Sequence, residues 1–176
     1  MKRSRNVTLF VLLILLALCI PSQATRAQGS IKTRFGIGMN MAMSVDNGFG
    51  LGFRGRVSSP INSDFSLAIG MGFTGFVLRG RDDASFVFDP QVSGIINLPS
   101  TTPDAEIYLL AGLGAYVPLS QNTSSNESGP SIHFGIGRVQ LLQESSFFYE
   151  INPAVIVGQT AVQFILPFRV GLIFGN

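Results

Sequence analysis

The chain has 176 residues, of which 12% are charged, and it contains one cysteine and no tryptophan. Four of its twelve basic residues precede residue 28, which leaves eight basic against ten acidic residues and a net charge of −2. A soluble domain usually has about a quarter charged residues, and a nucleic-acid-binding domain presents a basic surface. The composition is therefore atypical of a soluble domain and excludes a nucleic-acid-binding domain.

The first 27 residues have the three parts of a secretory signal peptide. A basic start at residues 2–5 precedes the apolar run Val7–Ile20, and small residues follow at Ala24 and Ala27. A membrane-anchoring helix is the alternative, but it needs roughly 20 apolar residues, and this run has about fourteen. We therefore predict a signal peptide over residues 1–27 and a single domain over residues 28–176. Cleavage would also remove Cys19, which excludes disulfides and cysteine metal sites from the mature chain.

After residue 30, apolar residues recur at every second position, which is the period of a β-strand. The first such run has Phe35 and Ile37 on one face and Arg34 and Gly36 on the other. The alternation predicts eight strands, at about residues 31–43, 49–58, 65–77, 86–98 and 107–117, from residue 132 to about Arg138, and at 147–157 and 163–175.

Turn residues separate these strands, and Asp46-Asn47-Gly48 is a strong hairpin signal. Short links between neighbours predict an up-and-down antiparallel meander. The alternation loses phase near Arg138 in the sixth strand, where we expect a β-bulge.

Glycine on the less apolar face indicates which face lies inside. Glycine weakens a strand, so a solvent-facing side has no reason to collect it. A narrow barrel interior does, because small side chains must mix there with large polar ones. Five strands carry a Gly-x-Gly pair in this phase: 36/38, 50/52, 70/72, 112/114 and 135/137. The pattern predicts an all-β, up-and-down transmembrane barrel of about eight strands, with its apolar face toward lipid.

Three segments resemble the small outer-membrane β-barrel domains of Gram-negative bacteria, in the style of the OmpA barrel and OmpX. They are Tyr108–Tyr116, Phe148–Pro153 and Leu166–Phe174, and the resemblance extends over nearly all of residues 30–176. It implies a porin-like transmembrane fold in the cell outer membrane, contact with outer-membrane lipid, and insertion by the barrel-assembly machinery. Family members carry a C-terminal assembly signal; Arg169, Gly171 and Phe174 match it, whereas Asn176 stands where its last aromatic residue belongs.

Charged residues on the inward face predict a structural network in the barrel lumen. Buried charges are costly without partners. A two-residue turn at residues 159–160 would place Glu150 directly opposite Arg169, and we expect this pair at the centre of the network. The predicted members are Glu150, Arg169, Arg54, Arg56, Arg34 and Asp89.

Other motifs do not predict a catalytic, cofactor or metal site. Gly50–Gly55 and Gly70–Gly75 match the dinucleotide fingerprint, but neither is followed by the helix that this motif requires. His133 is the sole histidine, which excludes multi-histidine metal sites. We expect no cofactor, no metal and no enzymatic activity.

Three functions fit these features. The first is a monomeric envelope or surface-interaction barrel with a packed polar lumen and no wide pore. The second is an outer-membrane lipid-modifying hydrolase that uses His133 and a nearby serine. The third is a soluble secreted barrel that binds an apolar ligand in a cavity lined by its apolar face. For the first function, the external loop at residues 121–130 is the best candidate for contacts.

Overall fold

Nine antiparallel strands close into a barrel in the computed structural model, which describes residues 32–44, 48–77, 84–99, 104–119, 127–142 and 144–175. The predicted signal peptide lies outside these residues. The strands are β1 (Arg34–Ser44), β2 (Gly48–Pro60), β3 (Phe65–Val77), β4 (Ala84–Leu98), β5 (Ala105–Pro118), β6 (Gly129–Leu141), β7 (Ser146–Ile151), β8 (Ala154–Val157) and β9 (Val162–Phe174).

Each strand pairs with its neighbour in sequence, and β9 returns to pair with β1. Strands β7 and β8 are two halves of one barrel strand, because both pair with β6 on one side and with β9 on the other. The predicted eight-stranded, up-and-down barrel is therefore confirmed. The described residues contain no helix long and apolar enough to cross a membrane.

The division of the seventh barrel strand occurs at Asn152 and Pro153, where the sequence predicted a continuous strand. Proline has no N–H group to donate to a ladder, so the regular pairing stops there. The wall nevertheless stays closed: Asn152 N donates to Pro167 O at 3.0 Å, and Phe134 N donates to Pro153 O at 3.1 Å.

The expected bulge near Arg138 is wrong, because β6 pairs with β5 and β7 in an unbroken register through this residue. Arg138 points outward and is half-buried, while Val139 points inward and is buried. The apparent loss of phase arises because a polar residue lies outside and an apolar residue lies inside at this height of the barrel.

The two faces of the wall differ in the direction that the glycine pattern predicted. Phe53 is 68% exposed on the outer surface, whereas the adjacent Arg54 is 8% exposed in the lumen. Large apolar side chains are exposed along every barrel strand. The uninterrupted strands have 11 to 15 residues, which is enough for the roughly 9–11 residues that a tilted crossing needs.

Candidate functional site

Glu150 is the centre of a hydrogen-bonded group in the middle of the lumen. Its side chain is 1% exposed and accepts from three donors. Arg169 Nη1 donates to Oε1 at 2.7 Å, while Arg56 Nη1 and Tyr108 OH each donate to Oε2 at 2.8 Å. Arg169 lies directly opposite Glu150 in the β7–β9 register, as the turn length predicted. A carboxylate held by two guanidinium groups and a phenol is a strong charge-assisted arrangement.

A second ion pair joins the same group through Gln91. Arg54 Nη1 donates to Asp89 Oδ2 at 2.6 Å. Gln91 Nε2 donates to this same oxygen at 3.3 Å, and Gln91 Oε1 accepts from Arg169 Nη2 at 3.4 Å. The contacts therefore run without a break from Arg54 to Glu150. We call the residues of this network the charged layer: Arg54, Arg56, Asp89, Gln91, Tyr108, Glu150 and Arg169.

The structure does not bring Arg34 into the charged layer. This residue lies at the start of β1 and lines a cavity of about 30 Å³ at the end of the lumen where β1 begins and β9 ends. Glu106 and Arg56 line the same cavity. Five of the six predicted network residues are thus joined by hydrogen bonds, and the sixth stands apart at the mouth.

Gln91, Tyr108 and Asn152 are members or neighbours of the charged layer that the sequence reasoning did not select. With its amide oriented so that both polar atoms have partners, Asn152 donates to Phe134 O at 3.1 Å and accepts from Arg169 Nη2 at 3.2 Å. The period-two pattern places these residues on the inner face. It could have identified them as lumen residues, although not as partners of particular arginines.

Glycine makes room for the charged layer. A Cβ atom at Gly72 would collide with the Asp89 carboxylate, and one at Gly137 would collide with the Tyr108 ring. Gly72 on β3 lies opposite Asp89 on β4, and Gly137 on β6 lies opposite Tyr108 on β5. Gly72 and Gly137 therefore provide the space that the Asp89 and Tyr108 side chains of the adjacent strands occupy.

Aromatic side chains support Arg56 beside its ion pair. The Arg56 guanidinium carbon lies 5.1 Å from the Phe148 ring centroid and 5.7 Å from that of Tyr108. Both distances are in the range of cation–π attraction. This contact fixes the long arginine side chain while its Nη1 atom faces Glu150.

Two apolar clusters enclose the charged layer, which the sequence reasoning did not anticipate. The terminal cluster, toward the end where β1 begins and β9 ends, consists of Ala68, Ile95, Tyr108, Leu110, Val139, Phe148 and Ile173. The distal cluster, toward the opposite end, consists of Ala42, Phe76, Val87, Tyr116, Ile156 and Ile165. The lumen is thus layered: apolar, then charged, then apolar.

His133 points into the lumen and is 1% exposed. Its Nε2 atom lies 2.9 Å from Ser93 Oγ, and this pair is the serine–histidine contact that a hydrolase would need. It faces away from the lipid-exposed surface, however, so it is not at the membrane edge where a lipid substrate would arrive. In the described ranges, no cluster of His, Cys, Asp or Glu side chains is arranged to hold a metal ion.

At the distal end, Glu127 ties the segment before β6 to the β8–β9 turn. Its Oε2 atom accepts from Thr160 N at 2.8 Å, and its Oε1 atom accepts from Thr160 Oγ1. These hydrogen bonds stabilise the ionised carboxylate and hold the pKa of Glu127 below its usual range.

Comparison with known proteins identifies the architecture. No protein-family model and no curated protein sequence matches the chain. Among solved structures, Neisserial surface protein A superposes with a TM-score of 0.61 at 14% identity, covering 82% of this chain and 96% of that one. The N-terminal barrel domain of Pseudomonas aeruginosa OprF superposes with a TM-score of 0.54 at 17% identity, covering 84% and 100%. The chain has the fold of a small outer-membrane barrel. Both matches extend over nearly the whole of the compared barrel and over more than four-fifths of this chain.

Proposed function

We propose that this chain is an integral outer-membrane protein of a Gram-negative cell envelope, monomeric and inserted by the barrel-assembly machinery. The observation that supports this most is the continuous apolar outer surface around a closed barrel. Soluble monomers rarely expose apolar patches larger than a few hundred Å². A closed barrel in lipid, by contrast, leaves no backbone hydrogen-bonding group unpaired in the hydrocarbon.

The same surface contradicts the hypothesis of a soluble barrel that binds an apolar ligand. That hypothesis requires the greasy face to line a cavity. Phe134 and Leu113, however, are 61% and 65% exposed on the outside, and the inside contains the charged layer. The faces are therefore in the membrane orientation.

The experiment that tests this proposal is heat modifiability. The full chain is expressed in a Gram-negative host, the outer membrane is solubilised in detergent, and gel mobility is compared with and without boiling. We expect outer-membrane protein whose mobility changes on boiling, because a closed barrel resists detergent until it is heated. Recovery in the soluble periplasmic fraction with no mobility change would contradict the proposal.

We propose further that the barrel acts as a structural or surface-contact element, without a wide pore and without catalysis. The two apolar clusters and the charged layer occupy the interior in succession, as expected because eight strands enclose a space just filled by side chains. The serine–histidine pair is buried in the lumen, on the side of the wall away from the lipid-exposed surface. The distal loops are then the parts of the barrel available to a partner.

Planar-bilayer recording tests the absence of a pore. We expect purified, refolded protein to give no large conductance steps in a membrane where a known porin gives them. Steps of porin size from a preparation that is fully heat-modifiable would show that the interior is open. Protein that is not heat-modifiable serves as the control for incomplete insertion.

A further inference from the structure

The charged layer carries an excess of positive charge. Three guanidinium groups, Arg54, Arg56 and Arg169, face two carboxylates, Asp89 and Glu150, in one hydrogen-bonded network. The side chains of the three arginines are between 4% and 14% exposed, and that of Glu150 is 1% exposed. Arginine stays protonated in proteins, so this region of the described barrel has a net charge of about +1. A buried charge without a counter-charge is costly.

Unpartnered donors in the same region show where a counter-charge would bind. Arg54 Nη2 and Arg169 Nε are both buried and have no hydrogen-bond acceptor among the described residues. Asp89 and Gln91 join the two guanidinium groups by an unbroken series of hydrogen bonds, so both unpartnered donors belong to one network. Two buried N–H donors of this network are therefore available to a small acceptor.

The remaining charged residues of the inner face do not neutralise this excess. Arg34 and Glu106 both line the cavity at the mouth, so their opposite charges offset each other there. Water could accept hydrogen bonds from Arg54 and Arg169 but would not balance their charge. The apolar clusters on both sides limit the access of bulk solvent, which makes screening from outside the barrel weak.

We propose that the charged layer holds one small inorganic anion as a resident counter-ion, bound between Arg54 Nη2 and Arg169 Nε. Chloride is the abundant anion of this class. Two buried oxygen acceptors, Asn40 Oδ1 and Asp89 Oδ1, require a different ligand. Asn40 and Asp89 line a separate cavity of about 30 Å³, which has room for water. The anion is part of the folded interior and does not follow a path through it.

Linkage between anion binding and folding gives the test. An anion that binds the folded barrel alone lowers the unfolding equilibrium constant by the factor 1 + [anion]/Kd. Urea unfolding of the refolded barrel is measured in detergent while chloride replaces gluconate at constant ionic strength. At a chloride concentration of ten times Kd, we expect the unfolding constant to fall about 11-fold and then to follow the same hyperbolic form. An unfolding constant independent of chloride would overturn the proposal.

An Asn40→Asp variant supplies the missing negative charge from the protein itself. Asn40 lies opposite Arg169 in the β1–β9 register, and its Nδ2 atom donates to Thr74 Oγ1 at 2.8 Å. A carboxylate fits the same space, since the Thr74 hydroxyl can rotate and donate to it. We expect the unfolding constant of this variant to lose most of its dependence on chloride. The matched control is Asn62→Asp in an exposed turn, which should retain the wild-type dependence.

Two further outcomes keep the proposal decidable. If Asn40→Asp retains the full chloride dependence, the ion acts on the barrel surface and the proposal is wrong. If this variant does not fold, crystals of the wild-type barrel grown in bromide give the answer by anomalous scattering. A peak within contact distance of Arg54 and Arg169 would support the site, and a lumen without a peak would overturn it.

Discussion

Replacing Glu150 with glutamine tests the energetic weight of the charged layer, because the change keeps the side-chain shape and removes only the charge and one acceptor atom. Oε2 accepts from both Arg56 and Tyr108, while Oε1 accepts from Arg169. An amide NH₂ group in either position faces a donor, so at least one buried N–H or O–H group loses its partner. The excess charge of the layer also rises by one unit.

We expect Glu150→Gln to lower the free energy of unfolding by about 4 kcal/mol, since breaking a buried ion pair costs roughly 3–5 kcal/mol. This corresponds to an increase of about a thousandfold in the unfolding constant. The measurement is urea unfolding of the refolded barrel, followed by gel mobility without boiling and by tyrosine fluorescence, because the chain has no tryptophan. Both probes should report the same transition.

The matched control is Glu144→Gln, which makes the same chemical change at an exposed turn residue. This variant should stay within about 0.5 kcal/mol of the wild type. If Glu150→Gln also stayed within that range, the charged layer would contribute nothing measurable to stability, and the argument from buried contacts would be refuted. A lower stability of both variants by equal amounts would point to a general effect of lost negative charge.

Two further predictions concern the packing of the lumen and the distal end. Gly137→Ala should destabilise the barrel by about 2 kcal/mol, the usual cost of overpacking, because the new Cβ collides with the Tyr108 ring. In the same urea titration, Gly55→Ala should not destabilise the barrel, because Gly55 faces open space. Equal losses of stability in the two variants would contradict the packing explanation. Because the folded-state pKa of Glu127 is lowered, its contacts with Thr160 should be intact above the unfolded-state pKa of about 4.3 and lost as the pH falls through the folded value. The Thr160 amide chemical shift should change with pH as Glu127 titrates. If the same pH dependence persists in the Glu127→Gln variant, the Glu127 carboxylate is excluded as its cause.

The sequence was sufficient to predict the fold because the inner and outer faces of the wall differ chemically along its whole length. The position of Glu150 opposite Arg169 also followed from local information, since a two-residue turn determines the register of the strands on either side. Contacts across the lumen were not predictable in this way. Arg56 reaches Glu150 across 94 positions of sequence, and that contact depends on the stagger of the strands around the barrel and on the length of the side chains.

The layering of the lumen could not be predicted from alternation, because alternation assigns a face but not a height. Phe76 and Tyr116 fall on the inner face, and only the assembled barrel shows that both belong to the distal cluster. The error at Arg138 has the same origin. An arginine outside and a valine inside disturb the pattern of polarity without disturbing the register of the strand.

The glycines of the lumen have a consequence for the divergence of this barrel. Two of them share a volume with a side chain of the adjacent strand: Gly72 with Asp89, and Gly137 with Tyr108. A larger side chain at one position of the pair requires a smaller side chain at the other. In related barrels, the two positions of such a pair should therefore covary so that the sum of their side-chain volumes stays roughly constant. A charged residue could then move from one strand to its neighbour during evolution without a change in the diameter of the lumen.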